Sequence, residues 1–199
     1  YDIMGIACPT IVIFLTIVVI MRGAYLLSNK KEFVFYKEIF LLLFLAYSLL
    51  LFELVTEKDV SISSGTNLVP FTEILRCDFG SKLFIQQVIG NIILFIPFGY
   101  FATYYIKAKK PFSIILVTIL SSAVIEIVQY FIGRSFDIDD IILNTLGGIA
   151  GFFIYKALDA IRKVLPSFFQ RPLFYNILTF IVLIFVILYF LEFFNIWGL

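Results

Sequence analysis

Histidine is absent from all 199 residues. That one absence excludes imidazole general acid–base catalysis, HExxH metal sites and Ser-His-Asp triads together. Cysteine is nearly absent too. Cys8 stands in an apolar run and Cys77 in a polar connection, so they form no metal motif and are expected as unpaired thiols. Charged residues make up only 15% of the chain and the net charge is +1, which leaves no basic face for nucleic acid. No GxxxxGK[ST] or GxGxxG sequence occurs, so no nucleotide site is indicated. No repeat of solenoid period is visible.

What fills the chain instead is apolar. Hydrophobic residues account for 62% and mean hydropathy is +1.06, more than a soluble domain of this length can bury. The solvent is therefore expected to be lipid. Six segments are long and apolar enough to span it: about Ile3–Met21, Glu38–Leu54, Phe84–Tyr105, Pro111–Ile132, Asp140–Ala157 and Asn176–Phe194. Irregular backbone in lipid leaves polar groups unpaired, so the spans should be helices. The expected fold is an all-α integral membrane protein, a six-transmembrane-helix bundle with one long extracytoplasmic loop at about Val55–Leu83. Three stretches follow: an N-terminal span with its connection (1–37), a four-helix core (38–157) and a C-terminal span (158–199). The chain begins at Tyr1 rather than Met, so residues before it are to be expected. The first span lacks the basic leader and small-residue cleavage site of a signal peptide.

Basic residues set the expected orientation. The connections after spans one, three and five hold 11 of the 15: Arg22, Lys30, Lys31 and Lys37, then Lys107, Lys109 and Lys110, then Lys156, Arg162, Lys163 and Arg171. The positive-inside rule places those connections in the cytoplasm and both termini outside.

Polar residues inside spans are costly unless paired, which makes them site candidates. At about 1.5 Å per residue, Asn91 lies roughly 10 Å below the outer start of span three and Glu126 roughly 9 Å below the outer end of span four. Asn144 falls about one turn into span five. Three helices thus put a polar group at one depth, as a cavity opening outward would require. Gln87 shares a face with Asn91, and Gln129 with Glu126. Asp140, Asn144, Gly147 and Gly151 form one stripe at 4-3-4 spacing, and the two glycines permit close helix contact. Pro97 interrupts span three. Asp139 or Asp140 is placed to cap span five. Arg134 can reach one of the carboxylates, either as a structural salt bridge or to hold a ligand. Asp137, Asp139 and Asp140 offer oxygen ligands to a divalent cation, although at no EF-hand spacing, and no cofactor is firmly implied. Ser121 and Ser122 read as hydroxyls bonded to their own helix. In the outer loop, Asn67 and Pro70 predict a turn into a short helix from about Thr72, with Leu68, Val69 and Phe71 docked on the bundle.

Asn67-Leu68-Val69-Pro70-Phe71, Asn91 through Gly99, Glu126-Ile127-Val128-Gln129, Gly133 through Asp140 and Asn144 through Gly148 resemble the VanZ-like family in order and spacing over roughly residues 40–157. That family is named for a protein conferring low-level teicoplanin resistance. The resemblance implies a multi-pass protein of the bacterial cytoplasmic membrane acting at the cell envelope, with Asn67, Pro70, Asn91, Glu126, Gln129, Arg134, Asp137, Asp140 and Asn144 at the family's polar motif positions. The expected function is binding of a lipid-linked cell-wall precursor or glycopeptide-related ligand, with Asn67, Asn91, Glu126, Gln129, Arg134 and Asn144 as contacts. The alternative is an intramembrane hydrolase or transferase using Glu126, Arg134, Asp137 or Asp140. Partners are the bilayer and that precursor, not nucleic acid; the sequence does not set the oligomeric state.

Overall fold

The computed structural model describes the backbone of residues 3–56 and 66–197 and the side chains of residues 12–53 and 66–189. Among the described residues the secondary structure is helical apart from two strands of two residues each. In chain order the elements are α1 (Ile3–Ser28), α2 (Phe35–Thr56), β1 (Thr66–Asn67), α3 (Thr72–Arg76), α4 (Lys82–Phe84), a π-helical turn (Ile85–Ile89), α5 (Gly90–Ile106), α6 (Pro111–Phe131), β2 (Phe136–Asp137), α7 (Ile138–Val164), α8 (Ser167–Gln170) and α9 (Pro172–Trp197).

Among the described residues, five stretches are long and apolar enough to cross a membrane: Phe35–Glu53, Lys82–Ile106, Pro111–Phe131, Ile138–Val164 and Pro172–Tyr189. In the first helix, the described apolar stretch Val12–Ser28 is shorter than a span. The expected span Ile3–Met21 lies partly outside the residues with described side chains, as does Cys8. Residues 57–65 of the expected outer loop are likewise outside the described residues.

Two compact units divide the chain, residues 1–46 with 160–199, and residues 47–159. In the first, the Arg22 guanidinium pairs with Glu38 at 2.8 Å, and Asn176 accepts the Tyr36 N–H at 3.0 Å. The second carries the polar motifs, and one register organises it. Going down α6 in steps of four, Glu126, Ser122, Thr118 and Ile114 meet Asp140, Asn144, Gly148 and Phe152 going along α7. The two sequences run in opposite directions, so α6 and α7 are antiparallel. Along this seam the character changes from charged, through amide and hydroxyl, to apolar. The apolar end is the cluster Ala102, Ala108, Ile114 and Phe152, with Phe98 packed on it.

Helix α5 lies against α7 in the parallel sense. Asn91 bonds Asp140, Gly99 meets Gly148, and Tyr100 and Tyr104 meet Tyr155. Glycine is required at this contact. A Cβ on Gly99 would stand 2.1 Å from the Gly148 carbonyl oxygen, one on Gly147 2.2 Å from that of Ile92, and one on Gly151 2.2 Å from that of Ile96. The small-residue stripe read from the sequence is therefore the face on which α5 rides. Gly148 has a second duty, since its missing side chain is also the space that Thr118 fills from α6.

Three expectations change. The fifth span is longer than expected: α7 runs 27 residues and continues through Val164, so the boundary placed at residue 157 falls inside it and Lys156, Arg162 and Lys163 are helical. The third span is interrupted twice. Besides Pro97 it contains the π turn, closed by the Gly90 N–H on the Ile85 carbonyl. In the turn before Pro97, which leaves the Ile93 carbonyl without its helical donor, the Tyr47 hydroxyl donates to the adjacent Leu94 carbonyl. Finally, Leu68, Val69 and Phe71 do not dock. They are 63%, 67% and 53% exposed, and polar contacts hold their segment instead.

Candidate functional site

Helix α6 ends in a turn that aims the next residues back across the bundle. Gly133 has φ +92°, the left-handed geometry that a side chain disfavours. Its N–H bonds the Tyr130 carbonyl at 3.1 Å, and the Arg134 N–H bonds the Gln129 carbonyl at 2.9 Å. This pair is a Schellman closure, and it fixes the start of the Arg134–Asp137 segment relative to Gln129.

The next residues form β2, which pairs in parallel with β1, Thr66 opposite Phe136 and Asn67 opposite Asp137. The pairing ties the outer segment to the α6–α7 turn. Asp137 is the N-cap of α7, its Oδ1 accepting the Asp139 N–H at 2.8 Å. The same oxygen accepts Asn67 Nδ2 at 2.9 Å. Partial burial pushes the Asp137 carboxyl above its usual range, the two hydrogen bonds oppose that, and the charges of Asp139 and Glu73 add to it. The capping role foreseen for Asp139 or Asp140 thus belongs to Asp137.

Asp139 does something the sequence did not suggest. Its side chain is 1% exposed and points to the outer segment. Oδ1 accepts the Phe71 N–H, and Oδ2 accepts those of Glu73 at 2.8 Å and Ile74 at 3.2 Å. One buried carboxylate thereby satisfies three free donors at the start of α3, a helix whose own N-cap, Phe71, supplies no side-chain bond. Phe71 is held at φ 68°, a strained conformation for an aromatic residue. With Asp139 committed in this way, the aspartate trio considered as a metal set does not converge. Among the described residues, no group of three acidic or thiol side chains is arranged to hold a metal ion.

Glu126, also 1% exposed, accepts the Asp137 N–H on Oε2 at 2.8 Å. Asn91 Nδ2 donates to Asp140 Oδ1 at 2.6 Å. Arg134 lies within electrostatic reach of both acids. One turn deeper, Asn144 Nδ2 donates to Ser122 Oγ at 2.9 Å, so Ser122 serves a neighbouring helix rather than only its own. The Asn144 Oδ1 atom on this level and the Thr118 Oγ1 atom one turn further along α6 are buried without a hydrogen-bond partner.

These elements enclose a cavity of about 530 Å³. Of the six contacts expected from the sequence, Asn67, Asn91, Gln129 and Arg134 line it, together with Asp137, Asp139 and Asp140. Glu126 and Asn144 do not. Glu126 stands behind the wall, positioning the backbone of Asp137, and Asn144 belongs to the deeper level with Ser122. The matched depth inferred for Asn91, Glu126 and Asn144 therefore resolves into two levels. The cavity also contains residues that the sequence did not mark, among them Gln86, Glu73, Arg76 and Ser135. Gln86 and Gln87 both reach it from the π turn, a feature often found where a helix serves a site. Arg76 is paired with Glu73 at 3.2 Å. Cys77 is a free, buried thiol close by, 3.4 Å from Gln87 Oε1.

A model of the VanZ/LLP1 family matches residues 35–162. A curated relative, Protein VanZ of Enterococcus faecium, is 34% identical over 92 residues, covering 45% of this chain and 51% of that protein. The chain thus spans about half the length of that relative. No solved structure matches. Both the cavity and the α5–α6–α7 seam lie within the family match.

Proposed function

Because the chain belongs to the VanZ/LLP1 family, we propose that it is a six-span protein of the bacterial cytoplasmic membrane whose polar cavity opens outward and binds an envelope ligand, contributing to glycopeptide tolerance. The observation carrying this reading is the lining of the cavity. Amides of Asn67, Gln86, Gln87, Asn91 and Gln129 surround it, with the guanidinium groups of Arg134 and of Arg76, which pairs with Glu73, and the carboxyls of Asp137, Asp139 and Asp140. Amides both donate and accept, which suits hydroxyl and peptide groups, and a guanidinium grips phosphate through two bonds. A lipid-linked cell-wall precursor presents all three chemistries, and a glycopeptide presents the first two. The volume also falls in the range of roughly 300–1,000 Å³ usual for ligand sites.

Arg134→Lys tests this most sharply, since it keeps the charge and removes the fork. Ligand affinity should fall roughly 10- to 100-fold, with lower glycopeptide tolerance at matched membrane levels. Glu126→Gln should also impair tolerance, by disturbing the wall that Asp137 forms. Wild-type tolerance in both variants would make the polar level structural only. Asp140-dependent turnover of a lipid-linked substrate by the purified protein would replace the binding module by an enzyme.

The orientation has its own measurement. A cysteine at Ser135 should react with an impermeant thiol reagent on intact cells, and one at Lys109 should not. The reverse pattern would turn the cavity inward.

A further inference from the structure

A second cavity, of about 550 Å³, lies between α1 and the first half of α2, and none of its lining residues takes part in the polar cavity. Its walls are apolar, including Val18, Leu26, Phe35 and Leu42, and its lining also contains Arg22, Glu38, Lys30 and Lys31. Arg22 and Glu38 form a salt bridge, so their charges offset each other. Lys30 and Lys31, both exposed, give the slot its positive balance. The Lys31 ammonium is pre-positioned, donating to the Tyr25 hydroxyl at 2.9 Å and standing 5.2 Å from the Tyr25 ring centroid. A long apolar slot with cations beside it matches a molecule with an acyl chain and an anionic head.

Gly23 supplies an independent observation. It lines the slot from within α1, where glycine weakens a helix, yet a Cβ there would meet nothing within 4 Å. Among the described residues no packing contact requires a glycine at that place, in contrast to Gly99 or Gly148. The room it leaves is open to an occupant.

We infer that this slot is a binding site for an anionic glycerophospholipid, with one acyl chain against Gly23 and the headgroup phosphate on Lys30 and Lys31. The test is thermal unfolding of the purified full chain in dodecyl maltoside, with palmitoyl-oleoyl phosphatidylglycerol, the matching phosphatidylcholine, or inorganic phosphate added. Phosphatidylglycerol at about 100 times its dissociation constant should raise the midpoint by roughly 5–10 °C, and phosphatidylcholine or phosphate alone by clearly less. Gly23→Leu fills open space, so it should fold and melt as wild type without lipid and lose the phosphatidylglycerol shift. The double variant Lys30→Gln/Lys31→Gln should lose the preference for phosphatidylglycerol over phosphatidylcholine, and it decides the question if the leucine variant does not fold. Equal shifts from the two lipids in wild type, a full shift from phosphate alone, or a full shift retained in Gly23→Leu would each overturn the inference. Conversion of a dimer to a monomer by Gly23→Leu would assign the slot to a second copy of the chain instead.

Discussion

Asp139→Ala is expected to release the outer segment while leaving the helical bundle folded. The carboxylate satisfies three backbone donors, on Phe71, Glu73 and Ile74, from a fully buried position. Removing it strands those donors and relaxes the strained Phe71, for a local cost of about 3–5 kcal/mol. Cys77 provides the readout, because it is buried beside Glu73 and Gln87 and becomes accessible only when the segment opens. In a Cys8→Ser background its reaction with a thiol reagent should accelerate by roughly a hundred- to a few thousandfold, at a factor of ten for each ~1.4 kcal/mol. Unchanged reactivity would show that the segment is held by β1–β2 pairing and Asn67 without Asp139.

The second large effect belongs to the α5–α7 contact. Gly99→Ala places a methyl group 2.1 Å from the Gly148 carbonyl oxygen, and that atom is backbone, so no rotamer change can yield. The helices must part, loosening the seam along which Asn91 meets Asp140. Overpacking of this kind costs about 1–3 kcal/mol and more when only backbone can move. A fall of several degrees in the thermal midpoint in detergent is the expected result. Gly23→Ala, with open space around its Cβ, should be neutral or stabilising in the same assay. Equal effects at the two positions would mean that α5 and α7 are not in contact through glycine.

Much of the scaffold was legible in the sequence because it is written locally. Pro111 at the first position of α6, the turn before Thr72, and Pro97 within α5 are signals contained in a few neighbouring residues. The glycine stripe on α7 could be read from spacing alone, although the helix it receives could not. The errors have a common origin in long-range partners. Asp139 looked like a cap for its own helix, whereas the donors it serves stand 65 to 68 residues earlier in the chain. Glu126 looked like a ligand contact, yet its carboxylate accepts the backbone N–H of Asp137 from behind the cavity wall. Leu68, Val69 and Phe71 were expected inward because they are apolar. In a chain suited to lipid there are two apolar media, protein and bilayer, so hydropathy alone does not choose between them. The π turn leaves no composition signal at all, and with it went Gln86.

The parallel pairing of β1 with β2 joins residues separated by 70 positions. A ribosome adding roughly 5–20 residues per second needs about 4–14 s to travel that far. Throughout that interval the Asn67 side-chain N–H and the backbone donors of Phe71, Glu73 and Ile74 lack their acceptors on Asp137 and Asp139, which are still being made. The β1–β2 side of the cavity is therefore a late product of synthesis, closing only after the α6–α7 turn has been made. A nascent chain stalled before Asp137 would carry every earlier span and still lack the wall of the cavity that Asp137, Asp139 and Asp140 supply.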